Sequence, residues 1–240
     1  MKTAVLFVLF TSIIFAQSNG VLSSHGGKAY ISIKAGPSFP LDNFGDDNPN
    51  NPNSGFAKTG YSIELSGGIR FFNLLEISIV GFRNVNGTDL DKLITKFNQS
   101  YPGVGFSGSS DEWITYGALG GFGLSYPAGY NFFGDINILG GYLSATSPVI
   151  LLNTSSADTY AKIESTTGTN FVTYFSGAVR RPLSERIHLS LGIGYLWGTA
   201  KFKDVKTLTS IDGNITESTT SFDRGMNTWE INLGLRYILF

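Results

Sequence analysis

The stretch INLGLRYILF, residues 231–240, alternates apolar positions with polar or glycine positions almost to its last residue. With the two residues before it, its apolar face consists of Trp229, Ile231, Leu233, Leu235, Tyr237 and Leu239, and its opposite face of Glu230, Asn232, Gly234 and Arg236. A period of two is typical of a β-strand that has one apolar and one polar face. The sequence therefore predicts a strand that runs up to the final aromatic residue, Phe240.

Composition narrows the class of protein. The 240 residues carry 17 basic and 18 acidic side chains, for a formal net charge of -1, so no overall field favours a nucleic-acid partner. The chain contains 30 glycines, 14% aromatic residues and only 15% charged residues. It is therefore richer in glycine and aromatic residues than an average soluble domain. No cysteine is present, which excludes a disulfide scaffold and thiolate metal sites.

The segment MKTAVLFVLFTSIIFA, residues 1–16, has the pattern of a signal peptide. It combines a basic start at Lys2, an apolar core and a small residue, Ala16, at a suitable cleavage point. The apolar core is too short to cross a bilayer, which needs about 20 apolar residues. We expect cleavage after residue 16, with a boundary that could extend to 20, and a single domain over residues 17–240.

Period-two alternation recurs along this domain and predicts eight strands. They are placed at 28–37, 59–72, 74–83, 113–126, 131–144, 169–181, 186–202 and 226–240. The connections alternate between short turns, at 72–74, 127–130 and 181–185, and long polar loops, at 38–58, 84–112, 145–168 and 203–225. Short periplasmic turns and long extracellular loops are typical of bacterial outer-membrane barrels. We therefore predict an all-β fold, an eight-stranded antiparallel up-and-down transmembrane β-barrel with both termini in the periplasm.

Soluble eight-stranded barrels such as lipocalins also alternate, but they place the apolar face inside. Two observations favour the membrane. The polar face is rich in Gly and Ser, which suits the narrow interior of an eight-stranded barrel. The apolar face begins and ends in aromatic residues, as expected for girdles at two membrane interfaces. The predicted girdles are Tyr61, Tyr116, Tyr142, Trp197 and Trp229 at the loop ends, and Phe71, Tyr126, Phe132 and Tyr237 at the turn ends.

These features together resemble the small outer-membrane barrels of the OmpA/OmpX superfamily, the group described as the outer membrane protein beta-barrel domain. In that family a C-terminal strand ending in an aromatic residue is read by the barrel-assembly machinery, and Gly234, Tyr237 and Phe240 match this signal. The resemblance implies an outer-membrane location and contact with outer-membrane lipid and lipopolysaccharide. Phe240 departs from the pattern, because strict alternation puts it out of phase with Tyr237. We expect either a bulge near Ile238 or a Phe240 that turns back at the rim.

The candidate motifs for chemistry favour a protein that is not an enzyme and uses no cofactor or metal. The glycines of GALGGFG, 117–123, lie within a predicted strand, whereas phosphate loops join a strand to a helix. His188 and Ser190 resemble the pair of barrel lipid A deacylases, but both face the lumen, and the next acidic residue, Asp204, falls in a predicted long loop. A metal site is not indicated, because the only histidines are His25 and His188.

The polar strand faces supply equal numbers of both charges to the predicted lumen. The cations are Lys34, Arg70, Arg180 and Arg236, and the anions are Glu64, Glu76, Asp135 and Glu230. Charges in a narrow interior are costly unless they are paired. We predict that Lys34 lies between Glu64 and Glu230, and that Arg70 meets Glu76 across the first short turn.

Function is expected to reside in the long loops, because loops on a rigid scaffold carry recognition. The prediction is a monomeric structural or surface-interaction protein of the envelope, with a surface partner contacted through the four loops. The alternative is a narrow channel for small or apolar solutes, or an accessory component of a secretion system. DLDKLITKF, 89–97, predicts a short helix within the second loop.

Overall fold

The computed structural model describes residues 29–51, 53–71, 74–155 and 158–240. The predicted signal peptide and the start of the predicted domain lie outside these residues. The described strands are β1 (Ala29–Pro40), β2 (Ala57–Phe71), β3 (Leu75–Thr88), β4 (Ser107–Ser110), β5 (Trp113–Gly129), β6 (Phe132–Thr146), β7 (Ile150–Asn153), β8 (Tyr160–Ile163), β9 (Thr167–Pro182), β10 (Ile187–Ile211), β11 (Asn214–Gly225) and β12 (Thr228–Ile238). The described helices are α1 (Asp42–Gly45) and α2 (Asp91–Ser100).

Eight of these strands form a closed antiparallel ring. Their order is β12, β1, β2, β3, β5, β6, β9 and β10, and β10 pairs with β12 to close the circle. The predicted fold class is therefore confirmed. Closure leaves the wall of the barrel without an unpaired edge, which removes the risk of edge-to-edge aggregation.

The two ends of the barrel differ. At the short-turn end, tight connections join β2 to β3, β5 to β6 and β9 to β10, and the start of β1 meets the end of β12. There the Ala29 amide donates to the Phe240 carbonyl at 3.1 Å, and the Leu239 amide donates to the Ala29 carbonyl at 2.9 Å. Phe240 lies beyond the strand, 75% exposed, while Ile238 is buried and keeps its regular pairing with Tyr30. The last residue thus sits at the rim, and β12 has no bulge near Ile238.

The barrel wall reverses the usual placement of apolar and polar residues. Ile79 and Leu65 on the outer face are 69% and 64% exposed, whereas Glu64, the neighbour of Leu65 on the inner face, is 2% exposed. An apolar exterior around a polar interior is what a bilayer requires of a barrel. The alternation of each wall strand therefore sorts its side chains between lipid and lumen.

The opposite end, the long-loop end, carries a second layer of structure. Beyond the ring, β10 continues into a sheet with the order β11, β10, β8, β7 and β4, here called the outer sheet. The predicted loop helix is confirmed as α2. The assignment of 203–225 to a loop is wrong, because β10 and β11 form a long hairpin over these residues. A register shift between Phe202 and Val205, with Asp204 at φ 54°, interrupts the alternation there and hides the continuing strand.

Among the described residues, no helix is both long and apolar enough to cross a membrane.

Candidate functional site

The lower lumen, near the short-turn end, holds an arginine cluster that consists of Arg70, Arg180, Arg236, Glu76 and Asp135. Arg180 binds Asp135 with two nitrogens; one contact is Nη2 to Oδ1 at 2.9 Å and the other joins Nε to Oδ2. Arg236 bridges both acids, with Nη2 3.3 Å from Asp135 and Nη1 3.5 Å from Glu76. The fork of a guanidinium matches a carboxylate and fixes its orientation. The cluster is a cross-braced ionic layer rather than a set of separate pairs.

Strand register explains how this layer forms. Arg70 lies directly opposite Glu76 across the first short turn, and its Nη2 is 3.9 Å from the Glu76 carboxylate. Its shorter contact is to Ser125 Oγ, at 2.8 Å, and Arg180 also donates to this hydroxyl, at 2.7 Å. The Tyr30 hydroxyl donates to Glu76, and its ring lies beneath the Arg236 guanidinium at 3.7 Å. Arg70 therefore meets Glu76 only at the limit of an ion pair.

His188 belongs to this layer and not to a nucleophile pair. Its Nδ1 lies 3.0 Å from Arg180 Nη1, and its ring stacks on Phe133 at 5.9 Å. Ser190 Oγ has no hydrogen-bond partner among the described residues. A serine nucleophile needs a base within hydrogen-bond reach. His188 instead contacts the Arg180 guanidinium, so it is not positioned as a base for Ser190.

The upper lumen cluster consists of Lys34, Glu64, Tyr174 and Glu230. Lys34 Nζ lies 2.7 Å from Glu64, and the two residues are register partners. The Tyr174 hydroxyl is 3.2 Å from Glu230 and 3.4 Å from Glu64, so one donor bridges two carboxylates. In the described part of the chain no ion pair joins Lys34 to Glu230. Across the β1–β12 pair, Lys34 of β1 lies opposite Gly234, whereas Glu230 of β12 lies opposite Ser38.

Two glycines make room for the upper lumen cluster. A Cβ at Gly234 would lie 2.6 Å from Cγ of Lys34, and a Cβ at Gly194 would lie 2.1 Å from the Tyr174 hydroxyl. Any side chain at either position would displace a member of the cluster. Small residues on the polar face thus serve the packing of large ones opposite, as expected in a narrow barrel.

The predicted girdle residues lie on the outer surface at both ends of the barrel. At the long-loop end, Tyr195 and Trp229 have ring centroids 5.0 Å apart. At the short-turn end, Arg181 lies over Phe132 at 5.9 Å, and Arg186 donates to the Tyr237 hydroxyl at 3.4 Å. The exposed members of the two girdles are Tyr61, Tyr116, Tyr142, Trp197, Trp229, Phe71, Phe132 and Tyr237, and Tyr126 is half-buried.

An apolar cluster that the sequence did not predict fills the mouth of the barrel at the long-loop end. This mouth cluster consists of Phe44, Trp113, Phe202 and Phe222. Trp113 meets Phe44 edge-on at 5.5 Å and Phe202 at 5.8 Å, and Phe202 stacks on Phe222 at 5.1 Å. Trp113 Nε1 donates to the Gly55 carbonyl at 3.0 Å. Its residues come from α1, β5, β10 and β11, so only the folded chain brings them together.

The first long loop is fastened above the mouth cluster. The Asp46 carboxylate accepts hydrogen bonds from the Asn51 amide at 2.6 Å, the Asn48 backbone amide at 3.0 Å and the Ser54 hydroxyl at 2.9 Å. These donors, led by Asn51, lower the pKa of Asp46 below its usual value. Arg224 of β11 donates to the Asn53 carbonyl, and burial lowers the pKa of its guanidinium to about 10.

The second long loop joins the same assembly. Lys92 of α2 forms an ion pair with Asp47 at 2.7 Å, and Lys96 donates to the Asn50 side chain at 2.7 Å. Both contacts tie α2 to the first loop. The loops therefore form one connected structure above the barrel.

Comparisons with known proteins support the fold. The chain is similar to a major outer membrane protein from Thermus thermophilus, with 12% identity over 87% of this chain and 98% of that one and a TM-score of 0.50. Weaker likenesses are OprG from Pseudomonas aeruginosa (12% identity, 90% and 98% covered, TM-score 0.47) and Neisserial surface protein A (11%, 88% and 97%, 0.43). No family model matches the sequence, and no curated protein matches it. The expected resemblance to small outer-membrane barrels is thus confirmed for the fold.

Proposed function

We propose that this chain is a non-enzymatic outer-membrane barrel that binds a partner at the cell surface through its long-loop end. Both termini then face the periplasm. The apolar exterior of the wall supports the membrane location, and the difference between short turns and long loops supports the orientation. The chain would reach the membrane through the barrel-assembly machinery and contact outer-membrane lipid and lipopolysaccharide as a monomer.

The observation that carries this proposal is the ordered long-loop end. The outer sheet, α2 and the mouth cluster join all four loops, and the Arg224 contact to Asn53 ties the fourth loop to the first. A binding surface that is already ordered loses little conformational entropy when a partner docks. A fixed display of loops above a barrel therefore suits recognition.

Side chains block the lumen at both ends, which argues against the narrow-channel alternative. The mouth cluster puts buried aromatic side chains where a solute would enter, and the arginine cluster crosses the lumen at the other end. A channel needs a continuous path, and both layers would have to open to provide one. The plugged barrel is a scaffold for the loops.

Two measurements test the proposal. Purified, refolded protein in a planar bilayer should give no stable conductance. On intact cells, a photo-crosslinker at Thr219 of the exposed hairpin should form an adduct with a surface partner, whereas the same crosslinker at Tyr130, in a short turn, should not. Steady single-channel currents without any surface adduct would favour the channel instead.

A further inference from the structure

Two arginines at the short-turn end lie outside the lumen and apart from the arginine cluster. Arg180 and Arg181 are neighbours on β9, and the period of two places the first in the lumen and the second on the outer wall. Arg186, in the turn that precedes β10, is also exposed. Neither Arg181 nor Arg186 forms an ion pair with a carboxylate among the described residues. The outer rim therefore carries two guanidinium groups that no carboxylate contacts.

Aromatic residues of the short-turn girdle hold both side chains at this rim. The Arg181 guanidinium lies 5.9 Å from the centre of the Phe132 ring, and Arg186 Nη1 donates to the Tyr237 hydroxyl at 3.4 Å. A guanidinium carries five N–H donors. Among the described residues, the Arg181 guanidinium makes no hydrogen bond and the Arg186 guanidinium makes only this one. Most of these donors are thus available to a group outside the chain.

The depth of the two arginines in the membrane indicates what that group is. Aromatic girdles mark the boundary between the hydrocarbon core and the headgroups of a bilayer. Leu189, the register partner of Arg181, and Val179, on the same face of β9, are exposed apolar residues of the outer wall. A lipid whose acyl chains lie against these two residues brings its phosphate to the level of the guanidinium groups.

We propose that this rim, formed by Arg181, Arg186, Phe132 and Tyr237, binds the phosphate of an anionic glycerophospholipid. Guanidinium groups match phosphate oxygens in geometry and form charge-assisted hydrogen bonds with them. The leaflet concerned rests on the proposed function, in which the short turns face the periplasm. Arginines that only reach interfacial water with their charged ends would show no preference for an anionic lipid, so lipid preference separates the two explanations.

The test measures lipid contact at this rim by fluorescence quenching of the full chain, refolded in phosphatidylcholine vesicles. The reporter is Ile187→Trp, on the outer wall opposite Tyr237, combined with Trp197→Phe and Trp229→Phe. The remaining tryptophan, Trp113, is buried in the mouth cluster. Brominated phosphatidylglycerol is compared with brominated phosphatidylcholine of the same acyl chains. One basic side chain near an anionic lipid surface strengthens the attraction by about fivefold. We therefore expect phosphatidylglycerol to be preferred by about fivefold or more, and less at high ionic strength.

Substitutions of the two arginines decide whether the preference arises from them. In the reporter chain, Arg181→Gln together with Arg186→Gln should bring the ratio of the two association constants to about one. Should this double variant fail to fold, each single substitution provides the same readout with a smaller decrease. Lys206→Gln, which removes a cation of the exposed hairpin, should retain the full preference.

A second reporter locates the effect. A chain that keeps Trp229 and Ile187 but carries Trp197→Phe reports on lipid at the long-loop end of β12, and it should show no preference between the two lipids. Equal quenching by the two lipids at residue 187 would overturn the proposal, as would a preference that survives the loss of both guanidinium groups. Both leaflets of the vesicles have the same composition, so the result depends neither on the orientation of the barrel nor on a surface partner. Failure of this site is therefore distinguishable from failure of the proposed function.

Discussion

Removing the positive charge of Lys34 should destabilise the barrel strongly. Lys34→Met keeps most of the buried aliphatic stem but leaves Glu64, 2.7 Å away and 2% exposed, without its cation. Glu64 and Glu230 would then compete for the single Tyr174 hydroxyl. Breaking a buried ion pair by removing one partner lowers the free energy of unfolding by roughly 3 to 5 kcal/mol. Lys34→Glu should be worse, because it adds a third carboxylate.

The measurement is urea unfolding from lipid vesicles, followed by tryptophan fluorescence at a fixed ionic strength. The double variant Lys34→Met with Glu64→Gln should recover much of the loss, because no charge is then left unpaired. Lys206→Met, which breaks the exposed pair with Glu217, should cause no measurable change. A loss below about 1 kcal/mol for Lys34→Met, typical of exposed pairs, or strict additivity in the double variant, would refute the view that the upper lumen cluster is a paired and buried unit.

Three other perturbations probe the rim, the mouth and the first loop. Deletion of Phe240 removes the carbonyl that accepts from Ala29 at 3.1 Å and should lower the yield of heat-modifiable barrel in the outer membrane, whereas an unchanged yield would make this residue incidental to assembly. Trp113→Ala empties the centre of the mouth cluster and should reduce the free energy of unfolding by about 3 to 5 kcal/mol, with faster protease cleavage of residues 43–51; if cleavage stays slow, the cluster does not hold the loop. Hydrogen bonds to the ionised carboxylate lower the pKa of Asp46 in the folded state from 3.8. They therefore stabilise the folded loop above pH 3.8, and this stabilisation is lost as the pH falls through the lowered pKa. Cleavage of this loop by an acid protease should therefore rise at low pH relative to an Asp46→Asn control, and parallel pH profiles would contradict the assignment.

The wall of the barrel could be predicted from the sequence because its strands alternate between lipid and lumen without interruption. The end of β10 could not, since the bulge at Phe202 breaks the alternation and the apolar residues beyond it, Val205, Leu208 and Ile211, recur every third position instead of every second. The register across one turn is local, so the position of Arg70 directly opposite Glu76 could be predicted from the sequence. The partners of Glu230 depend on the exact offset of β1 against β12 and on side chains that reach across the lumen, which no local pattern encodes. The mouth cluster likewise joins residues far apart in sequence, such as Phe44 and Phe222.

The length of β10 has a mechanical consequence. This strand of 25 residues spans about 80 Å and runs from the short-turn end, through the bulge at Phe202, to the tip of the hairpin at Asp212. Its backbone bonds to β9 and β12 within the wall lie across the strand direction. A pull on the hairpin along that direction would load these bonds together in shear, instead of opening them one after another as in a zipper. A partner bound at the hairpin would thus pull on the whole barrel wall at once, and the bonds of β10 to β9 and β12 would resist that force together.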